Sequence, residues 1–134
     1  MEIKLSQKES EEYFYTTLCN HSAIDTYGFE FTYDVEDYRK AKISLLENMK
    51  RDELKDTICR EDVLMEILKN GGKLYLTDKE GNGEYTKGIT IDEVHERVQL
   101  APKNHLFNMI LEHADSTSAS VILQTVFYGE VLFS

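Results

Sequence analysis

The chain has no tryptophan, one proline, two cysteines and few positive charges, and these scarcities exclude several classes of protein. Cys19 and Cys59 lie far apart and form no Cys-x-x-Cys pair, so neither a zinc ribbon nor a dithiol redox motif is predicted. We expect two free thiols that pack as small hydrophobic residues, and a disulfide only if the fold brings them together. Lysine and arginine number 15 against 25 acidic residues. The resulting charge of −10 disfavours direct nucleic-acid binding.

Long apolar runs are also missing. The longest, Val121 to Tyr128, is interrupted by Gln124 and is far shorter than the roughly twenty residues of a membrane span. The first residues lack the basic and apolar regions of a secretory signal. We therefore expect a cytoplasmic protein that does not contact the membrane.

The remaining composition is typical of one globular domain, covering residues 1–134. Hydrophobic residues make up 41% and charged residues 30% of the chain, and no repeat, low-complexity tract or linker divides it. The alternation of helical and strand patterns predicts an α+β fold. We expect a small antiparallel sheet of about three strands packed with four to six helices.

N-capping signals and helical spacing place the helices. Ser6 and Glu9 form a capping box that predicts a helix from about Gln7 to Asn20. Asp34 predicts the start of a second helix that reaches about Lys50. The boundary between 51 and 60 stays open. Later helices are expected from Glu61, after the capping box of Thr90 and Glu93, and after Pro102, where the helix would carry Leu106, Phe107, Ile110 and Leu111.

Alternating patterns place the strands. Phe29 to Tyr33 alternates apolar and polar residues, and the segments 73–78 and 85–90 flank a polar connection that contains glycine. These patterns predict a first strand and a hairpin. The segment Val121–Tyr128 fits a strand or a helix, but its length without a turn residue favours a helix, capped by Asp115 and the neighbouring serines.

The densest polar group spans residues 92–97, and it supplies the only weak catalytic candidates, His95, Glu93, Glu96 and Arg97. A carboxylate beside an imidazole can tune a general base, and an arginine can hold an anionic substrate. Capping and the helix dipole explain the same acids without catalysis. Because no nucleophile or second acid is identifiable, we assign no catalytic residue and expect no cofactor.

Metal binding is not predicted either. His105, Asn108 and Glu112 share one side of a helix, but their spacing does not place two ligands one turn apart. We interpret them as a solvated helix face.

The strongest signal is an aromatic and acidic N-terminal third. Residues 1–38 hold eight of the aromatic side chains together with nine carboxylates and only two lysines. Rings at helical and strand spacing usually face a core, but so many in one small region also suit a contact surface. The candidate binding residues are Tyr13, Tyr15, Phe29, Phe31, Tyr33, Asp34, Glu36 and Asp37.

Three segments, GEYTK at 83–87, ITIDEVHERVQ at 89–99 and VILQTVFYGE at 121–130, give the chain a family resemblance. It resembles small accessory proteins carried by gut bacteria and their mobile elements. The resemblance implies an accessory protein without assigned catalysis or cofactor, and no functional residue can be transferred from it.

Three functions remain after these exclusions. The leading hypothesis is a small protein-interaction or accessory module with a protein partner, and a homodimer is left open. The first alternative is a small enzyme that uses His95 with neighbouring carboxylates. The second is a nucleic-acid mimic whose carboxylates occupy a basic partner protein, and binding of that kind should weaken as salt rises.

Overall fold

The structure, a computed structural model, describes residues 3–48, 58–79, 83–113 and 115–133. A three-stranded antiparallel sheet is packed with helices, which confirms the predicted α+β class. The described residues contain seven α-helices, one more than the largest expected number. The elements are α1 (Gln7–Leu18), α2 (His21–Thr26), β1 (Phe29–Thr32), α3 (Val35–Glu47), α4 (Arg60–Lys69), β2 (Leu74–Asp78), β3 (Lys87–Ile89), α5 (Ile91–Arg97), a 3-10 turn (Val98–Leu100), α6 (Lys103–Ile110) and α7 (Ser116–Tyr128).

The helix starts follow the capping signals. Ser6 accepts a hydrogen bond from the Glu9 N–H at 3.1 Å, and the Glu9 carboxylate accepts one from the Ser6 N–H, which completes the predicted box. Asp34 caps α3, and Asp115 caps α7. Helix α2 is not predicted by the sequence. It is only six residues long, and the Asn20 side chain caps it by accepting from the Ala23 N–H. The open boundary at 51–60 lies mostly outside the described residues.

The sheet has the order β1-β2-β3, and β2 and β3 form the predicted hairpin. Alternate strand residues face the helices and are buried, as in the pairs Phe31–Leu76 and Leu74–Ile89. The opposite face pairs Tyr75 with Gly88. A Cβ at Gly88 would lie 2.5 Å from the Tyr75 ring, so the ring can cross the neighbouring strand here only because that residue is glycine.

Helix α7 runs through the centre of the molecule. Every residue from 118 to 127 is buried, which explains the helix/strand ambiguity, because a helix that is buried on all sides need not show an amphipathic period. The favoured assignment to a helix is confirmed. One hydrophobic cluster joins α7 to buried residues of the sheet and of helices α1, α4, α5 and α6. None of the helices in the described residues is long and apolar enough to cross a membrane.

Helix α6, which confirms the helix expected after Pro102, buries only some of its apolar residues. Leu106 and Met109 are buried, whereas Phe107 is 45% and Leu111 62% exposed. Only part of the apolar set on this helix is therefore buried. Helix α6 packs mainly against α7, so its neighbour covers one side only, and sequence spacing does not tell which apolar residues that side contains.

The buried Gln124 of α7 holds the C-terminal segment. Its Oε1 accepts hydrogen bonds from the Leu132 and Phe133 N–H groups, both at 2.8 Å. Its Nε2 donates to the Ser120 hydroxyl at 2.9 Å and to the Phe133 carbonyl at 3.0 Å. The Phe133 ring then packs edge-on against Phe29 at 5.8 Å between ring centroids. A single polar side chain thus fixes the chain beyond α7.

Candidate functional site

Two of the five candidate binding rings lie in the core. Phe29 is 1% and Phe31 4% exposed, since both occupy the inner positions of β1. The Phe31 ring lies 6.0 Å from the ring of Phe127 on α7. Their predicted place on a contact surface is therefore wrong: strand alternation turns both rings toward the central helix.

The other candidates at the N-terminal end are half-buried or exposed. Tyr13, Tyr15 and Tyr33 are half-buried, and the Tyr33 ring stacks on Tyr38 at 4.8 Å. The acids at the start of α3 have local partners. Asp34 accepts from the N–H groups of Glu36 and Asp37, and Glu36 pairs with Arg39. Capping and an ion pair within one helix account for these acids without a binding partner.

Two of the four weak catalytic candidates, His95 and Arg97, hold helices together. His95 Nε2 lies 2.7 Å from Glu11 Oε2 on α1, and Arg97 donates to the Val126 carbonyl on α7 at 2.9 Å. Glu93 closes the capping box of α5 and also pairs with Arg97 at 3.3 Å, while Glu96 is exposed. His95 lines none of the five best-formed clefts among the described residues.

His105 and Asn108 join α6 to α7. Both hydrogen-bond to the buried Ser118 hydroxyl, at 2.9 and 3.1 Å respectively. Their interpretation as part of a solvated face is therefore wrong, although Glu112 is exposed as expected. Within the described ranges, no group of three or more histidine, cysteine, aspartate or glutamate side chains is arranged to hold a metal ion.

The candidate site is a cleft of about 500 Å³ between α1 and α4, which we call the acidic cleft. Its apolar surface is formed by half-buried Leu45 and Ile58 and by buried Met65. Charged side chains and one tyrosine surround that surface. They are Lys8, Glu11, Glu12, Tyr15, Asp62, Glu66 and Lys69.

Helical spacing brings these groups together. Lys8, Glu11, Glu12 and Tyr15 are separated by three, one and three residues, so they lie on one face of α1. On α4 the same relation joins Asp62, Met65, Glu66 and Lys69. Each pattern is visible in the sequence alone. What the sequence does not show is that the two faces meet, because α1 and α4 are separated by more than forty residues.

Hydrogen bonds order the inner wall of the acidic cleft. Tyr15 Oη donates to Asp62 Oδ1 at 2.6 Å, and Ser44 donates to Glu66 Oε2 at 3.0 Å. The bond to Asp62, together with partial burial, raises the pKa of Tyr15 well above its ordinary value of 10. A tyrosine that keeps its proton is a poor base and a poor nucleophile. This wall is therefore suited to hydrogen bonding rather than to proton transfer.

The acidic cleft carries an excess of negative charge. Four carboxylates face two lysines, and Lys69 lies 3.9 Å from one oxygen of Glu11. A phosphate or another anion would be repelled here. A ligand that carries a positive charge beside an apolar group would find carboxylates for the charge and an apolar surface for the rest.

Comparisons of the chain with protein-family models, curated proteins and solved structures found no match.

Proposed function

We propose that the chain is an accessory module that binds a partner protein through the acidic cleft, and that the partner presents a basic amphipathic segment. The observation that carries the proposal is the pairing of an apolar surface with four surrounding carboxylates. Apolar side chains of the partner would contact Leu45, Ile58 and Met65. Its lysine or arginine side chains would reach the carboxylates around them.

The dimensions of the cleft fit such a segment. From Lys8 to Tyr15, α1 advances about 10 Å, and α4 advances as far from Asp62 to Lys69. This distance corresponds to about two turns of a partner helix, which would place two apolar side chains one turn apart in the cleft. The net charge of −10 would also speed the approach of a basic partner.

The proposal keeps part of the N-terminal contact surface expected from sequence. Tyr15 and the α1 carboxylates Glu11 and Glu12 belong to the acidic cleft, whereas Phe29 and Phe31 do not.

The nucleic-acid mimic differs from this proposal in one respect that can be measured. A mimic binds through carboxylates alone, so its affinity would not depend on an apolar residue such as Leu45.

The test uses a fluorescein-labelled peptide of leucine and lysine, about four helical turns long, with its leucines on one face. Fluorescence anisotropy measures its binding to the wild-type chain and to two variants. Leu45→Ser removes apolar contact inside the cleft, and the double variant Glu12→Gln, Glu66→Gln removes two charges there. We expect each to weaken binding by about tenfold, equivalent to about 1.4 kcal/mol.

Matched controls make the same changes elsewhere. Leu100→Ser alters an exposed leucine outside the acidic cleft, and Glu84→Gln with Glu96→Gln removes two exposed charges. Both controls should leave the affinity within about twofold. If the charge controls weaken binding as much as the cleft variants while Leu45→Ser has no effect, the interaction depends on net charge. The proposal would then be wrong, and the mimic would be favoured.

A further inference from the structure

Two cysteines that are far apart in the sequence lie at the end of α1 and at the start of α4, the two helices that form the acidic cleft. Cys19 follows the last residue of α1, and Cys59 precedes the first residue of α4. The Cys59 sulfur lies 3.7 Å from Tyr15 Oη, and Cys19, four residues after Tyr15, lies one turn further along the same face of α1, where its N–H donates to the Tyr15 carbonyl at 3.1 Å. Both residues are exposed, so the expectation that their thiols pack as small hydrophobic residues is wrong. The fold therefore places two thiols near each other although the sequence contains no Cys-x-x-Cys motif.

We propose that Cys19 and Cys59 form a reversible disulfide when a small disulfide such as glutathione disulfide is the oxidant. In the first step the Cys59 thiolate attacks one sulfur of glutathione disulfide, and one glutathione thiolate leaves. In the second step the Cys19 thiolate attacks the Cys59 sulfur of the mixed disulfide and releases the second glutathione. The two cysteines are oxidised, one glutathione disulfide is reduced, and the two thiol protons end on the two glutathione molecules.

The order of the two attacks follows from the surroundings of Cys19. Although the residue is exposed, packing around its sulfur desolvates the thiol, and the carboxylates of Glu61 and Asp62 lie nearby. Desolvation first, and these charges in addition, raise the pKa of Cys19 despite its hydrogen bond with Tyr15. A thiol of this kind attacks a small oxidant slowly. It can still attack a mixed disulfide that is held beside it, because proximity replaces a collision in solution.

The bond would connect the two walls of the acidic cleft. Tyr15 and Asp62, which line the cleft, lie within one helical turn of Cys19 and Cys59 respectively. The disulfide would replace the contact of the Cys59 sulfur with the Tyr15 hydroxyl and would fix the end of α1 to the start of α4. The inference concerns the thiols only and does not depend on what the acidic cleft binds.

The experiment treats the reduced wild-type chain with glutathione disulfide, followed by alkylation and mass spectrometry. We expect a monomer that has lost two hydrogen atoms, takes up no alkylating reagent and carries no glutathione. Proteolysis under non-reducing conditions should yield one peptide pair that joins Cys19 to Cys59, and a reducing agent should restore both alkylation sites.

Single variants provide the matched controls. Cys19→Ser should retain a glutathione adduct on Cys59, because no second thiol is present to displace it, and Cys59→Ser should be modified much more slowly. A wild-type chain that keeps one or two glutathione adducts, or that forms only dimers between chains, would overturn the proposal. This measurement is made on the wild-type chain, so the result does not depend on whether a variant folds.

Discussion

Replacement of Gln124 by leucine should detach the C-terminal segment from α7. The leucine keeps almost the same volume, so the change mainly removes the four hydrogen bonds made by the amide. The Leu132 and Phe133 N–H groups would then have no acceptor in their present position. Because both residues are near the surface, they can leave that position and bind water instead.

The expected cost follows from these contacts. Four hydrogen bonds at about 1 kcal/mol each set an upper value of about 4 kcal/mol. Burial of leucine in place of an amide recovers part of this, while the loss of contact between the Phe133 and Phe29 rings adds to it. We therefore expect Gln124→Leu to lower the free energy of unfolding by about 2–4 kcal/mol.

Urea unfolding measures this loss, and amide hydrogen exchange at Leu132 and Phe133 tests its cause, since both amides should lose protection. Gln99→Leu is the matched control. Gln99 accepts one hydrogen bond, from the Leu5 N–H at 3.0 Å, so its replacement should cost about 1 kcal/mol or less. Equal costs for the two variants, or unchanged exchange at the C-terminal segment, would refute the reasoning.

Two further results are expected. Phe31→Ala should lower the free energy of unfolding by about 3–5 kcal/mol, because the Phe31 ring is buried against Phe127. Phe107→Ala, on the exposed side of α6, should lower it by less than about 1 kcal/mol. Similar losses for the two variants in urea unfolding would contradict the assigned faces. Partial burial acts to raise the pKa of Glu61, but the hydrogen bond with His21 at 2.5 Å, the charge of that imidazole and weaker local hydrogen bonds together outweigh burial and hold the pKa below its ordinary value of 4.5. This pair therefore stabilises the fold above that ordinary value and loses its effect as the pH falls through the lower folded-state value. Glu61→Gln should reduce the acid dependence of the unfolding free energy, and an unchanged profile would contradict the pairing.

Local signals predicted the elements well. The capping residues Ser6, Asp34, Thr90 and Asp115 each begin a helix, because a side chain that satisfies free N–H groups acts within four residues of sequence. The hairpin of β2 and β3 is also a local structure. Helix α2 was missed because six residues are too few to show a helical period.

The direction in which a face points was harder to predict. Phe29 and Phe31 fit a core strand or a surface strand equally well until the position of α7 is known. Phe107 and Leu111 show the reverse case, since they share a helical face that no described element covers. Periodicity identifies which residues share a face, and the partner element decides whether that face is buried.

The site depends on contacts that the sequence does not reveal. Tyr15 and Asp62 are 47 residues apart, and Glu11 and His95 are 84 apart. Glu11 belongs to no recognisable motif, so the sequence identified His95 as a candidate residue but did not identify its partner. The two cysteines are a similar case: their spacing argued for independent thiols, and only the packing of α1 against α4 brings the Cys59 sulfur to Tyr15, one turn from Cys19.

The central claim is that binding occurs in the acidic cleft, and nuclear magnetic resonance tests it most directly. A ¹⁵N-labelled chain is titrated with the basic amphipathic peptide, and shifts of the backbone amides are mapped onto the structure. We predict that the largest shifts occur at Glu12, Tyr15, Met65 and Glu66, on the two walls of the cleft. Shifts of equal size at every acidic surface, or centred on the start of α3, would contradict the claim.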